Sequence, residues 1–397
     1  MGKNNHHENA SFILLLSINT MIYVAASAYM PFLTAYYKLH GIDTFRIGIL
    51  TTIGCFSSIL VQPIWAKFSD ASGKAKSWAI RITILSGCSL ILYLCGTSFA
   101  TFLIATIATT LFLTSISSQI DAIVIRNCYK NDYSFANVRL GGTIGYAIFV
   151  VIAGRINSRE PKFSFALGLI LYMVLAALLC RLPDSENSRP VVNNNTYYSW
   201  RLPKIKELFP DKEVYFVLIY AFIYQIGASF LGTFQGVYVL EAGRGQREIG
   251  VLQCISACSE IPILLLAKNF EKKFGIMTII SASSLLMGIR ILVFSLGSFP
   301  YFILAQMMQG CTYMLMYYFS AIYVSQKANV GREAEAQSLL YLIQTGLASM
   351  IGNIGGGVLV NRIGIQTGFQ LSGLLISAAS ITVMTSSRRL KHIGNIN

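Results

Sequence analysis

Long apolar runs broken by short polar segments dominate the chain. Twelve of them, 12–37, 45–66, 79–97, 99–126, 135–154, 163–181, 213–240, 247–267, 275–297, 300–325, 336–360 and 365–386, have the length needed to cross a bilayer as helices, for which about 17–25 residues suffice. Gly and Ser recur inside the runs, as in helices that pack on other helices within a membrane. The pattern predicts an all-α integral membrane protein with twelve transmembrane helices. One long polar stretch, "LPDSENSRPVVNNNTYYSWRLPKIKELFPDK", interrupts the series after the sixth run. It reads as a cytoplasmic linker over 183–212, between an N-terminal six-helix half (1–182) and a C-terminal one (213–397).

Composition agrees with lipid as the main solvent. Hydrophobic residues make up 54% of the 397 and charged residues 12%, with a mean hydropathy of +0.58, where a soluble domain carries about 25% charged residues. The net charge of +14 would suggest nucleic acid in a soluble protein. Here most Lys and Arg fall on the linker, the two tails and the loops on the same side as the N-terminus. An excess of Lys and Arg marks the cytoplasmic side. Both termini are therefore expected in the cytoplasm, the protein in the cytoplasmic membrane, and no nucleic-acid partner. The loop "GRINSREPK" (154–162) is the exception, basic yet on the outer side. The first run is too long for the ~7–15-residue apolar core of a cleavable signal. The eight cysteines lie within or at the ends of runs, with no Cys–x–x–Cys and no histidine nearby, so neither a metal site nor a cofactor is expected.

The two halves repeat. "RIGIL" (46–50) matches "REIGVL" (247–252), and "IGYAIFVVIAGRI" (144–156) matches "IGNIGGGVLVNRI" (351–363), in the same order within each half. Such a six-plus-six arrangement resembles the major facilitator superfamily, whose members hold solute at mid-membrane between their halves. The segment "AKFSDASGKAK" (66–76) reads as a short cytoplasmic turn with a gating role. Gly73 would permit the turn, Asp70 would cap or pair across the interface between the halves, and Lys74 would add charge.

Ionised groups inside a span cost about 2.5–3.5 kcal/mol each and should face a partner or a cavity. Four lie well inside: Asp121, Arg139, Glu260 and Arg290. At 1.5 Å per residue, Asp121 and Arg139 both sit ~6–8 Å from the cytoplasmic side of consecutive helices, so they can pair. Glu260 and Arg290 lie at roughly 10 and 22 Å, an offset that argues against a direct bridge. Gln225 and Gln309, each set among aromatics or methionines ("FIYQIG", "QMMQGCTY"), are cavity candidates, and Tyr146 follows Arg139 by two turns on one face. An aromatic ring beside an arginine and a carboxylate suits a polyhydroxylated solute, the ring covering C–H faces and the ions binding hydroxyls.

Three stretches, "SAYMPFLTAYYK", "GILTTIGCFSSILVQPIWAKFSDASGKAK" and "IDAIVIRN…NVRLGGTIGYA", resemble the lactose permease group of oligosaccharide:proton symporters and the related phenylpropionate-permease type. The resemblance covers nearly the whole chain and is most specific in the first half. It implies that Asp121, Arg139 and Tyr146 bind a sugar, with Asp for Glu and Tyr for Trp. It also places Glu260 and Arg290 where the group couples solute to proton. The tenth run departs: Gln309 stands near the group's histidine and no acid follows, while all four histidines (6, 7, 40, 392) lie in tails or loops. Glu260, Arg290 and Asp121 remain as proton-coupling candidates. The expected function is secondary active transport of a small hydrophilic solute, a sugar or glycoside first, by alternating access with proton symport. Nucleoside or aromatic-acid uptake, drug efflux and a non-transporting solute sensor are the alternatives. No motif of a membrane enzyme is present.

Overall fold

The computed structural model describes residues 2–72, 75–182, 208–211 and 213–394, and among them every regular element is helical. The first group comprises α1 (Gly2–Ser27), α2 (Leu33–Leu39), α3 (Thr44–Ser72), α4 (Ala75–Ser89), α5 (Phe99–Lys130), α6 (Phe135–Asn157) and α7 (Phe163–Cys180). After the linker come α8 (Glu213–Glu241), α9 (Gln246–Phe274), α10 (Ile276–Phe294), α11 (Phe299–Met307), α12 (Leu315–Lys327), α13 (Glu333–Tyr341), α14 (Ser349–Ile363) and α15 (Ile365–Gly394).

Eleven helical segments among the described residues are long and apolar enough to cross a membrane. The twelfth expected span, 300–325, is not one continuous α-helix. It divides into α11 and α12 around a wide π-turn at Gly310–Met314. A second π-turn, Leu342–Ala348, joins α13 to α14. The expected turn at 66–76 is also corrected: α3 runs on through Ser72 and α4 starts at Ala75, so Asp70 is helical. No Gly or Pro occurs between Ala66 and Ser72 to stop the helix. Gly73 and Lys74 lie outside the described residues, as do 183–207 of the expected linker.

The described residues fall into two compact units. The first holds α1, α2, α3 from Phe56, α4–α7 and α9 as far as Cys254; the second holds α3 up to Cys55, α8, the rest of α9 and α10–α15. In the first unit α1 packs along α6. The "GGxxG" of Gly141, Gly142 and Gly145 permits this, because a Cβ at each would run into Leu16, Tyr23 or Thr20 of α1. A buried aromatic group, with Tyr36, Tyr37, Tyr93, Phe102 and Phe165, closes one end of the unit. In the second unit α8 is the central helix, packed against α10, α14 and α15. Phe230, Phe234, Tyr238, Phe294, Phe302 and Phe369 form its aromatic core.

Candidate functional site: two embedded charge clusters

The first unit builds its cluster on a tight helical hairpin. The turn after α5 closes with Asp132 at φ 57 and with the Tyr133 N–H donated to the Cys128 carbonyl at 2.9 Å. It sets α5 and α6 antiparallel, so that Arg139 donates from Nη1 to Asp121 Oδ2 at 3.0 Å. The other carboxylate oxygen accepts from Asn19 Nδ2 at 3.2 Å. Tyr23, one turn beyond Asn19 on α1, lies under the guanidinium, 5.3 Å from ring centroid to Arg139 Cζ. Gly142 is what admits these two α1 side chains, since its missing Cβ would meet the Tyr23 ring and Asn19 Oδ1.

Exposure shows which way the cluster looks. Asn19 is fully buried, but the Arg139 and Asp121 side chains are 49% and 25% exposed. The pair therefore borders open space, and a solvated ion pair contributes little to stability. Tyr146, half-buried, lies ~10 Å further along α6 on the Arg139 face.

In the second unit an amide links Glu260 and Arg290. Gln309 donates from Nε2 to Glu260 Oε1 at 3.1 Å, and its own Oε1 accepts from Arg290 Nη1. Arg290 also donates from Nη2 to Gln306 Oε1 at 2.8 Å and from Nη1 to Thr312 Oγ1 at 3.3 Å. Gln306 in turn donates to Gln235 Oε1 at 2.7 Å. Donors point one way through the Gln309 amide, from cation to anion. Arg290 is 3% exposed and its Nε has no partner. Hydrogen bonds to a charged group contribute about 1.5–3 kcal/mol each, so three neutral acceptors offset the cost of burying this cation without a carboxylate in direct contact.

The break in the tenth run delivers these groups. Gly310 begins the π-turn, its N–H is donated to Ser259 Oγ at 3.1 Å, and the Ser259 hydroxyl also reaches the Gln306 carbonyl at 3.4 Å. Ser259 thus fastens α9 to the break and holds the adjacent Glu260 opposite Gln309. Pro262 adds a second irregularity to α9, since it lacks the N–H that would bond the Cys258 carbonyl.

The remaining expected residue, Gln225, belongs to a separate network. Its Nε2 donates to Ser229 and Ser349 hydroxyls at 3.1 Å each, and Ser229 bonds Ser349 at 2.8 Å. Gln235 stands ten residues later on α8, about 80° away in helical phase, which is why it alone of the two reaches the Arg290 chain. Asn19, Tyr23, Gln235, Gln306 and Thr312 all contact or extend the two clusters without having been singled out from sequence as site residues. Spacing held a usable signal for two of them, Tyr23 lying four residues after Asn19 and Gln306 three before Gln309.

Comparison with known proteins follows the same outline. The MFS_1 like family matches residues 14–371. The lactose permease of Citrobacter freundii is 22% identical over 382 residues, covering 91% of this chain and 90% of its own. The maltose permease of Geobacillus stearothermophilus is 20% identical over 348 residues, covering 86% of each. Among solved structures, the crystal structure of the nucleoside transporter NupG matches with a TM-score of 0.79 at 16% identity, covering 94% of this chain and 98% of that one. At that identity the last likeness is one of fold.

Proposed function

The chain belongs to the MFS_1 like family, so it is a multi-pass membrane transporter of the major facilitator type and not an enzyme, and we propose that it carries a small neutral polyhydroxylated solute, a sugar or glycoside first. The observation that carries this reading is charge balance within each cluster. Asp121 already neutralises Arg139 at 3.0 Å, and Arg290 faces Glu260 through Gln309. A neutral solute can exchange hydroxyls into these hydrogen bonds without leaving an ion uncompensated. An aromatic acid would have to displace Asp121 from Arg139 or bring a second negative charge toward Glu260. The maltose and lactose permeases among the relatives support the same class. Nucleosides present ribose hydroxyls to the same groups and belong in the same test.

Transport is proposed to run by alternating access across the cytoplasmic membrane, with both termini cytoplasmic and with proton symport. Glu260 is the favoured proton carrier. Its carboxylate accepts from the Gln309 amide, so protonation breaks no ion pair, whereas protonating Asp121 would strip Arg139 of its carboxylate. Asp121, Arg139 and Tyr146 are assigned to solute binding, with Glu260, Gln309 and Arg290 linking solute to proton.

Proteoliposomes loaded with a pH-sensitive dye test the whole reading. Addition of monosaccharides, disaccharides and nucleosides in turn should give solute entry and internal acidification for at least one class, both abolished by Glu260→Gln. Accumulation of aromatic acids with no entry of any neutral solute would overturn it.

A further inference from the structure

Helix α8 is buried on nearly every side, yet one strip of it stays open. From the middle of the helix onward the open positions are Gln225, Ile226, Ala228, Ser229, Gly232 and Gln235. They recur every three or four residues and so form one face. A face turned to lipid would carry large apolar side chains, and this stretch holds one.

Gly232 is the unusual member. It lies in the interior of α8 and is exposed, and a Cβ built on it would meet nothing within 4 Å. A mid-helix glycine weakens a helix relative to alanine, and helix glycines elsewhere are repaid by close packing. Gly142 admits Tyr23, Gly227 admits Met287 and Ile291, and Gly310 admits Ser259. Gly232 admits no protein group. Gly355 on α14 is equally open, but its exposed neighbours are Ile351 and Ile354, the surroundings of a lipid-facing position.

Two polar atoms also look onto the open strip. Gln225 uses its Nε2 on Ser229 and Ser349, which leaves its Oε1 as an accessible acceptor. Gln235 uses its Oε1 on Gln306, which leaves its Nε2 as an accessible donor. Neither atom is among the buried unpartnered ones. Along the axis Gln235 lies ~4–5 Å above Gly232 and Gln225 ~10 Å below it. An acceptor and a donor thus flank a bare length of backbone.

We infer that Gly232 is a specificity-determining position of this transporter: by keeping side-chain volume off α8 between Gln225 and Gln235, it sets the size of neutral solute that the strip accepts. The inference rests on the transport reading above. Gly232→Leu, whose Cβ enters space with no protein atom within 4 Å, should exclude the larger solutes first, and the smaller Gly232→Ala should do so less. The ratio of disaccharide to monosaccharide uptake should fall by about tenfold or more, the range a badly fitted side chain produces in a binding pocket.

Two measurements test this separately. In the first, Gly232→Cys and Gly355→Cys are exposed in membranes to a water-soluble maleimide, and modified peptides are identified by mass spectrometry. Thiols react as thiolates, which need water, so Cys at 232 should be labelled and Cys at 355 should not. Absence of labelling at 232 would overturn the inference, whatever the protein transports. In the second, uptake of mono- and disaccharides is compared for the parent, Gly232→Ala and Gly232→Leu, with monodispersity in detergent checking that each folds. An unchanged uptake ratio in a folded Gly232→Leu protein would also overturn it. Failure of the parent to take up any neutral solute would instead sink the transport reading, while the labelling result stands by itself.

Discussion

Replacing Gln309 by leucine removes the single amide that joins the two charges of the second unit and keeps the side chain's approximate volume. Arg290 loses one acceptor and retains Gln306 and Thr312. Glu260 loses its Gln309 donor. A hydrogen bond to an ionised group contributes about 1.5–3 kcal/mol, so two lost bonds set an upper bound of about 3–6 kcal/mol. Arg290 is 3% exposed and cannot recover its bond from water. Glu260 is half-buried and can recover part of its own, which brings the expected loss to about 2–4 kcal/mol. Unfolding in mixed detergent micelles measures it, and a cycle with Glu260→Gln separates the two charges. If Gln309 serves both, the loss caused by Gln309→Leu should shrink by about 0.5–3 kcal/mol once Glu260 is neutral. Solute-driven proton entry should disappear in Gln309→Leu even where solute still binds. A loss below about 0.5 kcal/mol, the level of an ordinary surface substitution, with proton entry intact, would refute the bridging role.

Three further outcomes follow from the geometry. Asp121→Asn should change stability by less than about 1 kcal/mol, because its ion pair with Arg139 is partly solvated, while cutting uptake at least about tenfold, a cost of ~1.4 kcal/mol in binding; an equal loss in both would make the pair structural. Gly142→Leu should destabilise the first unit by about 1–3 kcal/mol through overpacking against Tyr23 and should lower solute affinity by displacing Asn19 from Asp121, read by unfolding and by binding on one preparation. At the C-terminal end of α12, Lys327 donates to Asp211 at 2.7 Å, and this carboxylate raises the ammonium pKa above its usual value. A raised folded-state pKa stabilises the fold fully below the unfolded lysine value near 10.4 and loses that contribution as pH climbs through the folded value. Lys327→Gln should therefore flatten the alkaline decline by lowering stability at neutral pH, where the contribution is fully present, with a small amplitude because the pair is partly exposed.

Long-range apolar period and charge placement were the legible parts, because both are imposed by the bilayer on each residue separately. A run either has enough apolar residues to cross or it does not, and a charge inside a run must find a partner. Counting residues brought Asp121 beside Arg139, which do pair, and argued against a direct bridge between Glu260 and Arg290, which Gln309 links. What sequence could not supply was helix phase where the helix changes its period. Nothing in "QMMQGCTYML" announces a π-turn at Gly310, since the turn arises from Ser259 taking the Gly310 N–H, a contact between residues 51 apart. Without that break, Gln306 and Thr312 read as two more polar residues in an apolar run, and Gln309 as a cavity candidate, rather than as the acceptors that hold Arg290. The same limit hid Tyr23 and Asn19, whose roles depend on α1 lying against the glycines of α6 more than a hundred residues away. It also made the turn expected at 66–76 begin too early, since the helix runs on through Ser72. Small polar residues there suggested a loop, but a Ser, Asp and Ala mixture free of Gly and Pro up to Ser72 meets no steric bar to continuing the helix. Local chemistry therefore located the charges, and tertiary contacts between distant glycines, serines and amides decided which groups stand beside them.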